Sequence, residues 1–251
     1  MKKKIIITGA LGYIGTELCK LYSGFSWKYE VIGIDNRFIS ERVNELKRRK
    51  IKFIQADILN INEIKPHIQK GDVVHHLAGV TDVAYVKKNS NKQQDEQIKK
   101  VAIEGTQNVL NSMNDNATIV FPSTHVVFEG LKEPKKNIDE NENTSTFLAY
   151  SSSKVENEHQ IIKSGKKYAI FRLGSVYGFS TDTMRINIMP NLFSKIASQN
   201  GKLKLFGGGV QLKSLVPLID VARCFKFVEE NQKFENGIYN LTKENTTVKE
   251  V

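Results

Sequence analysis

The amino-acid sequence predicts an α/β fold: a doubly wound parallel sheet with helices on both faces, followed by a small C-terminal lobe. Short apolar segments alternate with helical segments through the first 173 residues, which is the order expected of a parallel sheet wound with helices. The strand segments are rich in Ile and Val and show no clean alternation with polar residues, as expected where both faces are covered. Beyond residue 173 this regular alternation lapses.

Six strands are predicted in the first part of the chain, and a helix follows each of the first five. Apolar runs place the strands at residues 4–8, 30–35, 51–55, 72–77, 118–123 and 167–172. The helices fall near residues 13–22, 39–49, 60–69, 94–113 and 150–164. A polar loop is expected at 129–146.

The C-terminal part carries weaker signals. A proline in the first helical turn predicts a helix that begins at Met189, because proline is favoured at that position. Three consecutive glycines at 207–209 predict a turn. A short strand is expected at 212–216 and a further helix at 220–229.

Composition and cysteine content bound the class of protein. The chain has 251 residues, of which 40% are hydrophobic and 25% charged, as is ordinary for a soluble globular protein. No apolar run approaches the roughly 18 residues that span a bilayer, so no membrane partner is expected. The two cysteines, Cys19 and Cys224, make no disulfide framework, and a reducing cytoplasm is the expected location.

The formal net charge of +10 raises the question of a nucleic-acid partner. The basic residues are scattered, with small clusters at 47–50, 99–100, 135–136 and 166–167. No zinc-finger or RNA-binding consensus accompanies these clusters. They are interpreted as solvated surface, and no nucleic-acid partner is predicted.

A glycine-rich turn follows the first predicted strand. Gly9, Gly12 and Gly15 allow a tight turn, a close backbone approach to a pyrophosphate and close packing of helix on strand. The helix that follows offers unpaired N–H groups and its positive end to phosphates. The backbone of Tyr13 and Ile14 is therefore also expected to contact the cofactor. The spacing G-x-x-G-x-x-G is one residue looser at the front than the usual dinucleotide fingerprint.

An acidic residue strengthens the dinucleotide interpretation. Asp35 ends the second strand, 20 residues after Gly15, where a carboxylate would accept hydrogen bonds from the adenosine ribose. Its charge would repel a 2′-phosphate, which favours NAD over NADP, although Arg37 could weaken that preference. A simpler alternative is that Asp35 only caps the following turn. The other residues expected to touch the cofactor at this edge of the sheet are Asn36, Asp57, Ile58, Leu77, Ala78, Gly79 and Ser123.

A Ser/Thr, Tyr and Lys constellation supplies the candidate chemistry. Tyr150 and Lys154 lie four residues apart on a predicted helix and therefore share one face. A nearby ammonium, together with a positively charged nicotinamide, favours the phenolate and so lowers the pKa of the phenol. Thr124, or failing that Ser123, would donate a hydrogen bond to the same substrate oxygen. No spacing of His, Cys and carboxylates predicts a metal site.

These residues together resemble the extended short-chain dehydrogenase/reductase family, in particular its NAD-dependent epimerase/dehydratase group, which acts on nucleotide sugars. The likeness covers nearly the whole chain and implies a Rossmann-like fold. It implies an NAD-binding domain at 1–173 and a substrate-binding lobe at 174–251, in which the start of another helix at 247–251 points to truncation. The matching segments are 8–15, 35–36, 57–58, 76–79, 105–110, 122–128, 150–154, 172–178 and 207–222.

The resemblance also implies roles for single residues. Thr124, Tyr150 and Lys154 match the catalytic positions of the family. Contacts with a nucleotide-diphosphate sugar are expected from Ser175, Asn191 and Lys213, although Ser175 replaces a customary Asn and Lys213 a customary Arg. Helices near 94–113 and 150–164 occupy positions that build a dimer in similar proteins, so a homodimer is expected.

One departure bears on the reaction. Sugar-nucleotide dehydratases of this group carry Asp-Glu after the catalytic threonine, whereas this chain has His125 and Val126. Valine transfers no proton, which argues against elimination of water. The function predicted is an NAD-dependent nucleotide-sugar epimerase. The alternatives are an NAD(P)H-dependent keto-sugar reductase or dehydrogenase of the same family, and a non-catalytic NAD-binding regulatory protein.

Overall fold

The computed structural model describes residues 1–81, 92–133, 135–231 and 233–251. A seven-stranded sheet forms its centre, with the strand order β3-β2-β1-β4-β5-β6-β9. The strands of this sheet are β1 (Lys3–Thr8), β2 (Tyr29–Asp35), β3 (Lys52–Gln55), β4 (Val73–His76), β5 (Thr118–Thr124), β6 (Lys167–Leu173) and β9 (Gly237–Leu241). All of its strand pairs are parallel.

Helices cover both faces of the sheet. They are α1 (Tyr13–Ser23), α2 (Ser40–Arg48), α3 (Ile61–Ile68), α4 (Lys92–Ser112), α5 (Ala149–Lys163), α6 (Met189–Ser198) and α7 (Leu218–Glu230). Short 3₁₀ turns form at His125–Phe128 and Phe206–Gly209. A second, three-stranded sheet joins β10 (Glu244–Thr247), β8 (Leu212–Pro217) and β7 (Ser175–Tyr177).

Consecutive residues of β1 face two separate cores. Ile5 and Ile7 pack with residues of α1 and α7 on one face of the sheet, whereas Ile6 packs with α3 and α4 on the other. All three side chains are fully buried, and each such burial stabilises the fold by roughly 1.5–3 kcal/mol. The apolar run at the start of the chain is therefore the innermost part of a three-layer structure.

The fold class is confirmed. The six predicted strands occur within two residues of their expected bounds, and the five predicted helices are also present. The sequence missed β7, β9 and β10, which are short or carry polar residues. The expected helix start at 247–251 is wrong: Thr247 ends a strand, and Val248 and Lys249 donate backbone hydrogen bonds to Gln211 and Gly209.

The C-terminal segment contributes to both sheets. Its strand β9 lies beside β6 at the end of the main sheet, with Ala169 opposite Gly237 and Leu173 opposite Leu241. Helix α7 packs on α1, and Phe225 and Val221 are buried in the core that the two helices share. The division into domains at 173 and 174 stays a prediction, and the main sheet draws one strand from beyond it.

Within the described ranges, no helix is both long and apolar enough to cross a membrane.

Two adjacent histidines end β4 and are almost completely buried. The Nε2 atom of His75 lies 2.9 Å from the Tyr22 hydroxyl, and its ring stacks on Phe225, while its Nδ1 atom has no partner among the described residues. The ring of His76 bridges the hydroxyls of Thr8 and Thr106 at 2.9 and 3.0 Å. Burial lowers the pKa of each histidine to about 3.

These lowered pKa values predict a loss of stability on mild acidification. The unfolded chain binds a proton at each histidine below its ordinary pKa of 6.5, but the folded chain does so only near pH 3. The free energy of unfolding should therefore fall by about 1.4 kcal/mol per histidine between pH 7.5 and 5.5. Urea denaturation across this range measures the loss, and the variant His75→Leu should reduce it by the His75 share, about 1.4 kcal/mol. An unchanged slope in that variant would show that His75 does not contribute.

Candidate active site

The glycine turn leaves a backbone cradle at the carboxyl end of β1. Gly9 has a φ of +70°, and a Cβ atom added there would lie 2.7 Å from the Ala78 nitrogen. A Cβ atom at Gly15 would lie 2.2 Å from the Gly9 carbonyl oxygen. Side chains at these positions would collide with the backbone of Ala78 and of the turn itself, so this tight turn requires glycine.

Helix α1 begins directly at this cradle. Its first intrahelical bond runs from the Thr16 N–H to the Gly12 carbonyl at 2.9 Å. The N–H groups of Tyr13, Ile14 and Gly15 precede that bond and point out of the helix end, where they can donate to an anion. The backbone groups predicted to bind phosphate therefore lie together in the first turn of α1.

The carboxylate of Asp35 is buried beside the cradle and has four donors around it. Its Oδ2 atom accepts from the Leu11 N–H at 3.1 Å and from an Arg37 guanidinium nitrogen at 3.3 Å. Its Oδ1 atom accepts from the Arg37 backbone N–H and from Arg37 Nε, both at 3.1 Å. Asp35 thus ties β2 to the glycine turn and also caps the turn that follows, as the simpler alternative proposed.

The residues after β3 lie where the adenine of the cofactor is expected. The Asn36 amide donates to Asp57 at 3.2 Å, so these two predicted residues meet. Asp57 also accepts from the Leu59 N–H at 2.9 Å. Ile58 is buried, with its side chain against Gly105 of α4. The Ile58 side chain therefore belongs to the core.

The segment after β4 borders the cradle on its other side. The Leu77 N–H donates to the Thr8 carbonyl at 3.2 Å, and the Ala78 N–H donates to the Thr8 hydroxyl at the same distance. Because His76 holds that hydroxyl, the position of Ala78 depends on a buried polar chain. Gly79 follows, and no atom of the described residues would lie within 4 Å of a Cβ added there, which suits a residue next to a bound ligand. Together, the cradle and the two flanking strand ends fit an extended dinucleotide.

Tyr150, Thr124 and Lys154 meet at the carboxyl edge of β5. Tyr150 lies in the first turn of α5, with the Thr124 side chain close enough to its phenol to lower the phenol pKa. Lys154 is one turn further on, with Nζ 5.9 Å from the centroid of the Tyr150 ring, and it donates to the Pro122 carbonyl at 2.7 Å. The three residues predicted to be catalytic therefore lie together. The Ser123 hydroxyl, by contrast, donates to Glu158 beneath them.

Burial and charge oppose each other at the two titratable groups. Burial raises the pKa of Tyr150 above its ordinary value, while the Arg185 cation and the nearby Thr124 side chain lower the same pKa. Burial also lowers the pKa of Lys154 to about 8, and the Glu158 carboxylate works against that shift. In this state the phenol is therefore protonated at neutral pH, and it needs further positive charge to ionise.

Arg185 is the cation that sequence reasoning missed. It lies in the segment between β7 and α6 and is close enough to lower the pKa of both Tyr150 and Tyr13. Neither its spacing nor a neighbouring motif marks it. Only the path of the chain over the start of α1 brings it to the site.

Asn191 holds that segment in place. Its side chain is almost fully buried, where it accepts from the Gly178 N–H at 3.0 Å and donates to the Arg185 carbonyl at the same distance. The Tyr13 hydroxyl adds a 2.5 Å bond to the Gly178 carbonyl. Asn191 thus positions the loop, and its predicted contact with substrate stays a prediction.

The other two residues predicted to contact substrate lie on the small sheet. Ser175 begins β7 and is paired with Leu215 of β8, two residues from Lys213. Burial is the main cause that lowers the pKa of the His125 imidazole. The Lys213 cation is near enough to lower it further. Because His125 is adjacent to Thr124 and its Nδ1 atom lies 2.8 Å from the Leu173 carbonyl, Lys213 faces the catalytic edge.

A buried ion pair supports the site from below. Arg172 on β6 and Glu158 on α5 are each at most 5% exposed. Arg172 donates to both carboxylate oxygens of Glu158, at 3.1 and 2.8 Å. Ser123 donates to the same carboxylate, so the pair fixes the end of β5 against the helix that carries Tyr150 and Lys154.

Among the residues that the structure describes, no group of three His, Cys, Asp or Glu side chains is arranged to hold a metal ion.

The fold and the site define a Rossmann-type α/β protein with the side chains of a short-chain dehydrogenase/reductase. Residues 5–242 match the model of the NAD dependent epimerase/dehydratase family. The chain belongs to that family.

Individual relatives agree with this assignment. The chain is 28% identical over 235 residues to an uncharacterized UDP-glucose epimerase of Bacillus subtilis, a match that covers 88% of this chain and 70% of the relative. It is 24% identical over 245 residues to a UDP-N-acetyl-alpha-D-glucosaminuronate decarboxylase of Bacillus cytotoxicus, covering 92% and 69%. The fold matches UDP-glucuronic acid 4-epimerase of Bacillus cereus, in complex with UDP-glucuronic acid and NAD, with a TM-score of 0.81 and 26% identity. That match covers 98% of this chain and 79% of the other.

The Glu158–Arg172 pair predicts a large cost for removing one charge. In the variant Glu158→Gln, the Arg172 guanidinium remains buried without its counter-ion, which should lower the free energy of unfolding by about 3–5 kcal/mol. The matched control is Glu156→Gln, because Glu156 is exposed on the same helix; its effect should stay within about 0.5 kcal/mol. Chemical denaturation measures both variants. Equal effects would mean that the pair does not stabilise the fold.

Proposed function

We propose that this protein is an NAD-dependent epimerase of a nucleotide-diphosphate sugar. One observation carries the proposal: Tyr150, with Thr124 beside its phenol, lies on the helix face of Lys154 at the sheet edge that also holds the glycine cradle. The family match and the UDP-sugar epimerases among the relatives support it. NAD⁺, which the glycine cradle would hold, would supply the acceptor and then the donor of the hydride that leaves and returns to the sugar carbon.

The residues of the chain would handle the proton and orient the sugar. Tyr150, as the phenolate, takes the proton of a sugar hydroxyl, and later gives it back when the keto sugar is reduced. Thr124 donates a hydrogen bond to the same oxygen and shares its developing charge. Lys154 and Arg185 are the cations that favour the phenolate.

The residues after Thr124 argue against elimination of water. Val126 has no proton to transfer, and the Nδ1 atom of His125 is occupied by the Leu173 carbonyl. A dehydratase of this group needs an acid and a base at the two positions after the catalytic threonine. Here those positions hold His125 and Val126, which do not form that acid and base pair. An epimerase, which needs only the single proton of Tyr150, is the better match.

The substrate would lie between the catalytic edge and the small sheet. Lys213 on β8 supplies a cation for the diphosphate, and Ser175 on β7 a hydroxyl for the sugar. Lys213 offers a point charge rather than the planar fork of an arginine, so it fixes the diphosphate less rigidly.

Assembly and location complete the proposal. The protein would form a homodimer through α4 and α5, which lie side by side on one face of the sheet. It would work in the cytoplasm, in keeping with two cysteines that form no disulfide.

Replacing the phenol tests the proposal directly. The variant Tyr150→Phe should keep NAD⁺ binding, yet lose epimerisation by a factor of about 10²–10⁴, because it removes the group that transfers the proton. A screen of UDP-, dTDP- and GDP-sugars by NMR measures epimerisation, and calorimetry measures binding. The control is Tyr168→Phe, since Tyr168 lies near the opposite end of the sheet, on β6.

The same screen separates the alternatives. An epimerase converts the sugar with no net change in nicotinamide absorbance, whereas a keto-sugar reductase consumes NAD(P)H in proportion to product. Biological activity that is indifferent to Tyr150→Phe would instead identify a non-catalytic NAD-binding protein.

The lowered pKa of Lys154 predicts the alkaline side of the pH profile. Because the ammonium loses its proton near pH 8, turnover should fall about tenfold between pH 7 and 9 if the charge is required. In the variant Lys154→Arg, the guanidinium keeps its charge throughout this range, so the alkaline decline should disappear even if the rate is lower. Initial rates across pH measure this, and an unchanged decline in the variant would assign it to another group.

A further inference from the structure

We infer that the dinucleotide site accepts a 2′-phosphorylated dinucleotide, NADP⁺, about as well as NAD⁺, and that Arg37 confers this property. The inference rests on the proposed dinucleotide site and goes beyond the NAD dependence of the family. It concerns the residues around Asp35, where the two dinucleotides would differ only at the ribose 2′ position.

The carboxylate expected to select NAD is already engaged. Four donors surround it: the backbone N–H groups of Leu11 and Arg37, and two nitrogens of the Arg37 guanidinium, all between 3.1 and 3.3 Å. A carboxylate offers about four lone-pair sites. Asp35 can therefore accept the ribose hydroxyls only if the guanidinium gives way.

The guanidinium also changes the charge that a ligand meets. An unpaired Asp35 would repel a 2′-phosphate, but the adjacent Arg37 cation cancels that charge. The Arg37 side chain is 54% exposed while that of Asp35 is 4% exposed, so the cation lies on the solvent side of the pair. A phosphate that enters from solvent meets the arginine first, and arginine binds phosphate through paired N–H donors.

A second guanidinium flanks the same backbone. Arg42 on α2 donates to the Leu11 carbonyl at 2.9 Å, while the Leu11 N–H bonds to Asp35. The Nε atom of Arg42 is buried and has no acceptor among the described residues. Of the nearby carboxylates, Asp57 after β3 accepts from the Asn36 amide. Glu63 on α3 accepts from the Asp57 N–H and the Asn60 amide. Two cations, Arg37 and Arg42, therefore lie next to Asp35 and Leu11, although Arg42 also donates to the Asp182 carbonyl.

NAD⁺ remains compatible with this arrangement. An ion pair with one exposed partner contributes little to stability, so Arg37 can swing into solvent and leave Asp35 to the ribose hydroxyls. With NADP⁺ the pair would stay intact and the exposed donors of Arg37 would face the phosphate. The two cofactors would thus use two positions of a single side chain.

Calorimetric titration of the whole chain with NAD⁺ and, separately, with NADP⁺ tests the inference. The dissociation constant for NADP⁺ should lie within about tenfold of that for NAD⁺, and should rise more steeply with salt, because it depends on an exposed charge contact. NADP⁺ binding more than about tenfold weaker would overturn the inference while leaving the proposed function intact. Failure of both ligands to bind would overturn the proposed function as well.

The variant Arg37→Gln identifies the residue responsible. It should weaken NADP⁺ binding by about 10- to 100-fold, the loss expected for a charge-assisted contact, and leave NAD⁺ binding equal or tighter because Asp35 is released. Arg48→Gln is the matched control, since Arg48 ends the same helix as Arg42 with a side chain 74% exposed; it should change neither constant. Equal weakening of both ligands by Arg37→Gln would reject the assigned role. Thermal unfolding of each variant separates loss of binding from loss of fold.

Discussion

Parallel pairing of the central strands is the constraint on which the site depends. Because β1, β2, β4 and β5 all run in one direction, their carboxyl ends collect at one edge of the sheet. Asp35 and Thr124 are the last residues of their strands, and the glycine cradle and the segment after His76 directly follow theirs. The pairing of the strands therefore brings together residues more than 100 positions apart. No specific contact between their side chains is needed for this.

Buried polar contacts then decide where the side chains at that edge point. His76 bridges Thr8 and Thr106, so it joins β1 to α4 and holds the hydroxyl that receives the Ala78 N–H. Glu158 joins Ser123 to Arg172 and so fixes the end of β5 against α5. Each group is paired because a buried polar atom without a partner is costly. The same pairing makes the edge rigid.

The chemistry at the edge is a balance between desolvation and charge. Tyr150 is buried enough for its pKa to rise, and its environment offers a cation and a hydrogen bond that lower the pKa in part. At Lys154 the two effects have the opposite signs: burial lowers the pKa of the ammonium, and the Glu158 carboxylate raises it in part. Both groups are therefore poised to change protonation state when a charged ligand enters, which suits acid–base work at neutral pH.

The order of apolar runs and glycines determined the sheet and its helices, and the spacing of four residues placed Tyr150 and Lys154 on one helix face, because those features follow from local periodicity and helix geometry. The place of Thr124 beside them was expected from the family resemblance, and the pairing of strands across the fold decides it. The sequence could not reveal β9, whose Gly-Ile-Tyr-Asn-Leu becomes a strand only beside β6. Nor could it show Arg185, Asn191 or the Arg37–Asp35 pair in place, since loop paths and rotamers depend on contacts made across the finished fold. Local pattern specifies elements; the packing of distant elements specifies which charges face a ligand.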